Sequence, residues 1–416
     1  MDQTPTPRMA DPHALVTAPP ARLDRPAGLR APDRLGRMDA MALAAVISGI
    51  TGVGMALSLS LPLLSVVLET RGVSPFLVGL NTATAGVAAI AILPFVTGLA
   101  RRVGTARLMV AAFATMAATL MGFYVIHQFW AWFPLRFVFS AAVTTIFALT
   151  EFWISSLAPD KRRGLIVGIY TAFLSIGISI GPLILAVVGT DGIAPFVIGS
   201  LALLAAAVPV ACVRGRQPDL PTEGHRNLLR FVALAPLALL ASLVFGAVES
   251  GGTAILPLYG TAIGLTPENA VILVSAIAMG NVLSQIPIGW LADKVDRRIL
   301  LVGSAAVGVV GALLIPAVSG HFGALLAVLF VTGGIVAGLY TIGLTHLGSR
   351  YTGSELASAN AAFVMMYAGG MLIGPISLGG ALDLFPPHGF AYAIAVIFGL
   401  YVAIAAIRIA RRGLAT

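Results

Sequence analysis

Charged side chains are scarce in this sequence. Asp, Glu, Lys and Arg make up 10% of 416 residues, 58% are hydrophobic, and the mean hydropathy is +0.97. A soluble domain carries about 25% charged residues, so this chain cannot cover itself with water-loving surface and the membrane class is nearly forced. Cysteine is almost missing: Cys212 stands alone, which excludes an intramolecular disulfide and a cysteine metal site. Lysine is rare too, 2 residues against 23 Arg, a bias to which no chemistry attaches. No Ser/His/Asp arrangement, phosphate-binding glycine loop or metal-ligand spacing occurs, and His346 is isolated. An enzyme is therefore a poor reading, and no cofactor or metal is expected. The net charge of +8 and pI near 10.1 would suit nucleic acid, but the basic residues recur in short clusters between apolar runs. That pattern fits membrane topology and argues against a nucleic-acid partner.

What is present is a series of apolar runs, each long enough to span a bilayer. Twelve are expected, at 40–68, 75–99, 106–127, 130–157, 164–189, 192–212, 231–259, 267–292, 299–319, 323–347, 355–380 and 389–410. The fold class is an all-α membrane protein. Residues 1–38, rich in Pro, Ala and Arg without apolar period, should be a disordered tail, not a signal peptide. Arginine and lysine cluster in that tail, after every even-numbered run and at the C-terminal end, while Arg71 alone falls on the other side. By the positive-inside rule both termini are cytoplasmic and the protein sits in the inner membrane. Residues 412–416 form a short cytoplasmic tail.

The halves repeat. "GISIGPLIL" around Pro182 returns as "GMLIGPISL" around Pro375, 193 positions later, and "LARRVGTARLM" from Leu99 returns as "LADKVDRRILL" from Leu291, 192 positions later. Two parallel six-helix bundles are implied, at 39–212 and 231–411, joined by the polar linker 213–230.

The spanning region, about 40–410, resembles the major facilitator superfamily of secondary transporters. Gly289, Leu291, Ala292, Asp293, Lys294, Arg297 and Arg298 fit that family's loop motif, with Asp296 where a glycine is usual. The first-half copy is worn: Thr97 and Arg101 hold the first glycine and acidic positions. Gly168, Gly177, Gly181 and Pro182 are similar to the helix-5 pattern associated with antiporters, although Leu185 replaces its last glycine. Arg136 followed by Ser140 resembles the helix-4 arginine motif. The resemblance implies two bundles around a central cavity and alternating access, and it names no substrate.

Chemistry then attaches to particular residues. In the implied fold Asp293 meets the N-terminus of helix 5, where free N–H groups favour an anion, and forms a cytoplasmic gate with Arg162, Arg163 and Arg297. The alternative is that these charges only set topology. Gly177, Gly181 and Pro182, with Gly374 and Pro375 in the second half, allow close helix approach, either as plain packing or as a flexible seam between the halves. Arg136, Ser140, Thr144, Phe147 and Glu151 share one face of helix 4, which should turn to the cavity. Arg136 lies ~10 Å deep at 1.5 Å per residue. It is a structural arginine, an anion site or part of a proton pathway. Glu151 is a second proton-coupling candidate or a partner of a gate arginine.

Glu249 is an acid inside an apolar run, eight residues before Pro257, followed by Gly251 and Gly252. The pseudo-equivalent region around Met55 and Ala56 has no acid, so architecture alone does not require it. A glutamate in a cavity that alternates in hydration can take and release a proton, and Glu249 is the first proton-coupling candidate. Further cavity candidates are Asn81, Asn281, Gln285, Asn360 and Tyr367, with Tyr170, Tyr340 and Trp153 as aromatic walls.

A proton-linked secondary transporter of a small, largely uncharged or amphipathic solute, such as a drug-like compound or a flavin-type vitamin, is the leading expectation. The alternatives are an organic anion held by Arg136 and a non-transporting receptor or scaffold. The expected partners are the solute, protons and lipid, and a monomer is expected.

Overall fold

The computed structural model describes residues 37–157, 163–213, 234–351 and 353–413. The expected tails 1–38 and 412–416, the linker 213–230 and Arg162 lie largely or wholly outside these residues. So do the side chains of Arg163 and Asp293.

The described chain is helical. In order it forms α1 (Arg37–Thr70), α2 (Pro75–Val103), α3 (Thr105–Val125), α4 (Trp132–Leu157), α5 (Arg163–Val188) and α6 (Ala194–Cys212). The second half follows with α7 (Pro236–Ala262), α8 (Pro267–Lys294), α9 (Arg297–Val318), α10 (Phe322–Gly348), α11 (Gly353–Leu384) and α12 (Gly389–Gly413). Among the described residues, 11 helices are long and apolar enough to cross a membrane, and the apolar part of α5 that meets this measure, Ala172–Val188, is shorter. Most bounds agree with the apolar runs to within a few residues. Two differences matter below. α11 runs on to Leu384, and α7 continues through Pro257 to Ala262.

Local chemistry fixes the helix starts, and it repeats between halves. Ser74 caps α2 by accepting from the Leu77 N–H, with Pro75 in the first turn; Thr266 caps α8 in the same way through Asn269, followed by Pro267. A hydroxyl acceptor satisfies an orphan N–H, and proline there gives up no hydrogen bond. Asp296, which departs from the family's glycine, has a use of its own: its carboxylate accepts from Arg298 N at 2.7 Å and starts α9.

The two halves are built on the same crossing. In the first, α5 lies on α1, and a Cβ added to Gly177 would sit 2.3 Å from the Thr51 carbonyl oxygen. In the second, α11 lies on α7, and a Cβ on Gly374 would meet the Ala247 carbonyl at 2.0 Å. Lipid supplies no hydrophobic drive between helices, so backbone approach across small residues must supply the contact. Gly177, Gly181, Gly370 and Gly374 thus all pack inside a half. They do not form a seam between the halves.

The halves meet along α2 and α11. A Cβ on Gly79 would come within 2.1 Å of the Pro375 carbonyl, and one on Gly379 within 2.2 Å of the Pro75 carbonyl. Two hydrogen bonds join the halves at this end. Phe76 N donates to Asp383 Oδ2 at 2.9 Å, and Thr261 Oγ1 donates to Glu69 Oε1 at 2.6 Å. We call this the closed end. Arg71 lies here, its guanidinium 5.0 Å from the Trp132 ring centre, and burial lowers its pKa from the ordinary arginine value. The other end carries Arg101, Arg102, Lys294, Arg297 and Arg298 and is called the basic end. There Phe95 and Trp290 are exposed, and a Cβ on Gly98 or Gly289 would meet nothing.

Candidate functional site

The polar face of α4 grades from one end to the other. Arg136 is 1% exposed and Ser140 8%; Thr144 and Phe147 are half-buried; Glu151 is exposed. The stripe is buried under the closed end and opens toward the basic end.

Arg136 is held rather than offered. Its Nε donates to Asn81 Oδ1 at 3.2 Å, and its guanidinium lies 5.7 Å from the Phe123 ring centre. Arg136 Nη2 and Asn81 Nδ2 are buried donors without an acceptor. A buried cation with incomplete hydrogen bonding is costly, by about several kcal/mol per ion after relaxation.

Glu249 is the central residue of α7, which spans Pro236–Ala262. Pro257, eight residues on, does not end the span. Proline is tolerated inside membrane helices, the helix runs on, and Glu249 falls near mid-span. Arg136 is in the second turn of α4, close under the closed end. The two charges therefore lie at different depths.

Glu249 has a specific partner. Tyr367 of α11 donates its hydroxyl to Glu249 Oε2 at 2.5 Å. Three aromatic rings gather beside this pair. Phe245 of α7 lies 6.2 Å from Tyr367 and 5.7 Å from Tyr340 of α10, and Tyr340 lies 5.9 Å from Tyr367. Phe363 closes the back of the group at 5.1 Å from Tyr340. Tyr340 is within electrostatic reach of both Glu249 and Glu151, and Tyr170 of α5 is within reach of Glu151 and Tyr340. Tyr170 is anchored at 3.2 Å from the Thr150 hydroxyl. Tyr170 and Thr150 belong to the first half, and the aromatic group beside Glu249 to the second.

The other cavity candidates separate. Asn281 and Gln285 form a 2.6 Å bond on α8, and Thr341 of α10 donates to Gln285 at 2.8 Å. This is helix–helix hydrogen bonding inside the second half. Asn360 Oδ1 is buried without a partner. Trp153 is 1% exposed, part of the first half's core and not a cavity wall. It follows Glu151 by two residues, which turns it roughly 200° around the helix. At the basic end Lys294 Nζ lies 3.8 Å from the Trp290 ring centre, and Arg297 Nε is buried without an acceptor.

Among the described residues, twelve α-helices in two repeated halves, closed on each other at one end around polar side chains, define a multi-pass membrane transport protein. The family model of the major facilitator superfamily matches residues 46–281 and 238–414, and the chain belongs to that superfamily. It is 24% identical over 352 residues to the uncharacterized MFS-type transporter YfkF of Bacillus subtilis (strain 168), covering 82% of this chain and 88% of the relative. It is 24% identical over 281 residues to the uncharacterized MFS-type transporter YcaD of Escherichia fergusonii, covering 67% and 72%. Among solved structures, the nucleoside transporter NupG superposes with a TM-score of 0.72 at 15% identity, over 90% of this chain and 99% of that one. A bacterial homologue of the human lysosomal transporter Spinster, in an inward-facing and unoccupied conformation, gives 0.67 at 14% identity, over 89% and 96%. At these identities the structural likeness speaks to fold alone.

Proposed function

We propose that the protein is a proton-linked secondary transporter of a small amphipathic organic solute, a class that includes drug-like compounds and flavin-type vitamins. Glu249 is the coupling residue. The observation that carries this reading is the mid-span carboxylate of α7 bonded to the Tyr367 hydroxyl of α11. Mid-span ionisable groups are expensive, and an architecture that repeats without the acid at Leu57 does not require one. The basic end faces the cytoplasm, by the positive-inside rule, and the protein acts as a monomer in the inner membrane. The state described is then closed outward, with Glu151 open to the cytoplasm.

The anion reading keeps one supporting observation, the two buried donors on Arg136 and Asn81 without an acceptor. At 1% exposure, behind Asn81 and against Phe123, Arg136 gives a solute no approach in this state. Metal or cofactor chemistry plays no part in the proposal.

The test uses everted vesicles with a pH-sensitive dye and candidate solutes added one at a time. A solute that moves protons in the wild type should move none in Glu249→Gln, which still exchanges labelled for unlabelled solute. Glutamine has nearly the shape of protonated glutamate and cannot ionise. Proton movement surviving in Glu249→Gln would transfer the role to Glu151.

A further inference from the structure

Glu249, at mid-span in α7, and the aromatic rings beside it define a binding surface with one sign of charge. Arg136 of α4 is withdrawn under the closed end and hydrogen-bonded to Asn81. Glu249 accepts from Tyr367 on one oxygen, which leaves Oε1 for a ligand or a proton. Tyr340, Tyr367 and Phe245 present π-faces within 5.7 to 6.2 Å of one another beside that carboxylate, and both tyrosines keep part of their surface open.

Each feature favours the same ligand chemistry. A carboxylate removed from water is stabilised by a cation and destabilised by a second anion. Aromatic faces attract a weakly hydrated organic cation through their quadrupoles, more strongly where water is excluded. A neutral solute would gain the aromatic contact without compensating the acid. An anion would set a second negative charge beside the first. The cluster joins α7, α10 and α11 of the second half.

We propose that the substrate is an amphipathic organic monocation, seated with its charge at Glu249 and its apolar groups against Tyr340, Tyr367 and Phe245. This rests on the transporter reading above and narrows its substrate.

The test uses ions of one shape and opposite sign. Purified full-length protein in nanodiscs is titrated calorimetrically with tetraphenylphosphonium, with tetraphenylborate and with neutral triphenylphosphine oxide, each against empty nanodiscs. Tetraphenylphosphonium is expected to bind saturably and the other two to bind at least about tenfold more weakly, since the discrimination is that of a desolvated charge pair. Glu249→Gln should weaken the cation at least about thirtyfold, so that exchange by this variant persists only at correspondingly higher solute concentration. Tyr340→Leu should weaken it about threefold to thirtyfold. Equal or tighter binding of the borate, or no saturable cation binding to the wild type, overturns the proposal without reference to any variant's folding. Flux separates this proposal from the one it rests on. Cation binding with no exchange in vesicles would sink transport and leave the site. Exchange of a neutral or anionic solute with no cation binding would sink the substrate class and leave transport.

Discussion

The contacts at the closed end set how readily the halves part, and they can be removed one at a time. Thr261→Val deletes the hydroxyl that donates to Glu69 at 2.6 Å while keeping the side-chain shape. A hydrogen bond to a charged group contributes about 1.5–3 kcal/mol, here taken at the low end because the pair is only part-buried. Asp383→Ala removes the carboxylate that accepts from Phe76 N in the first turn of α2. That contact is exposed, and a carboxylate at a helix N-terminus contributes about 0.3–1 kcal/mol. The two sites lie on different helix pairs, so the losses should add to about 2 kcal/mol, or roughly thirtyfold in the ratio of closed to open states. Spin labels at His127 and Gly320 would read this change. Both are exposed, and they are repeat-related positions flanking the closed end, one in each half. The exposed native Cys212 is first replaced by serine. Wild type should give one short distance distribution between the labels. Each single variant should add a longer one, and the double variant should be dominated by it. An unchanged distribution in the double variant would refute the assignment of these bonds as the latch.

Other outcomes follow from single residues. Asp293→Asn should weaken closure at the basic end, raising labelling of cysteines placed there and lowering labelling at the other end, while the protein stays folded. The double change Arg136→Met with Asn81→Leu should raise thermal stability by about 1–4 kcal/mol, because an incompletely paired buried charge is exchanged for packing. Melting in nanodiscs checks this, and a lowered melting temperature would mean that Arg136 holds the closed state together.

The helices were legible because lipid demands about 20 apolar residues per span and closes each with a cap or a charge. Ser74-Pro75 and Thr266-Pro267 show this from short-range chemistry alone. Residues of the site were legible as types and not as pairs. Glu249 and Tyr367 were both evident from polarity inside a span, but their bond needs the α7–α11 crossing, which only the fold supplies. Phe245 and Phe363 read as ordinary core. Glu69, Thr261 and Asp383 sit at span ends, where a charge or a hydroxyl calls for no explanation. One signal was available: Glu69 and Thr261 are 192 positions apart, the spacing of the repeat, so a pseudo-twofold axis can bring them together.

The repeat also separates scaffold from chemistry. Gly54 meets the Leu174 carbonyl as Gly246 meets that of Tyr367, so the crossings are shared, while Glu249 answers to Leu57 and Tyr367 to Leu174. A glycine inside a half and a glycine between halves should therefore fail differently. In Gly374→Ala the new methyl would lie 2.0 Å from the Ala247 carbonyl, within one half, in every state of the transporter. In Gly79→Ala it would lie 2.1 Å from the Pro375 carbonyl, across the halves, only while that end is closed. Overpacking of this kind costs about 1–3 kcal/mol. In Gly374→Ala the folded protein has no state that escapes the clash, and its melting temperature should fall. In Gly79→Ala the halves can part, so the same cost becomes a shift of about 5- to 150-fold toward the state open at that end. Melting and label distances on both variants decide it. If Gly79→Ala melts as low as Gly374→Ala and leaves the distances of the wild type, α2 and α11 are bound as a fixed pair and the closed end is not a gate.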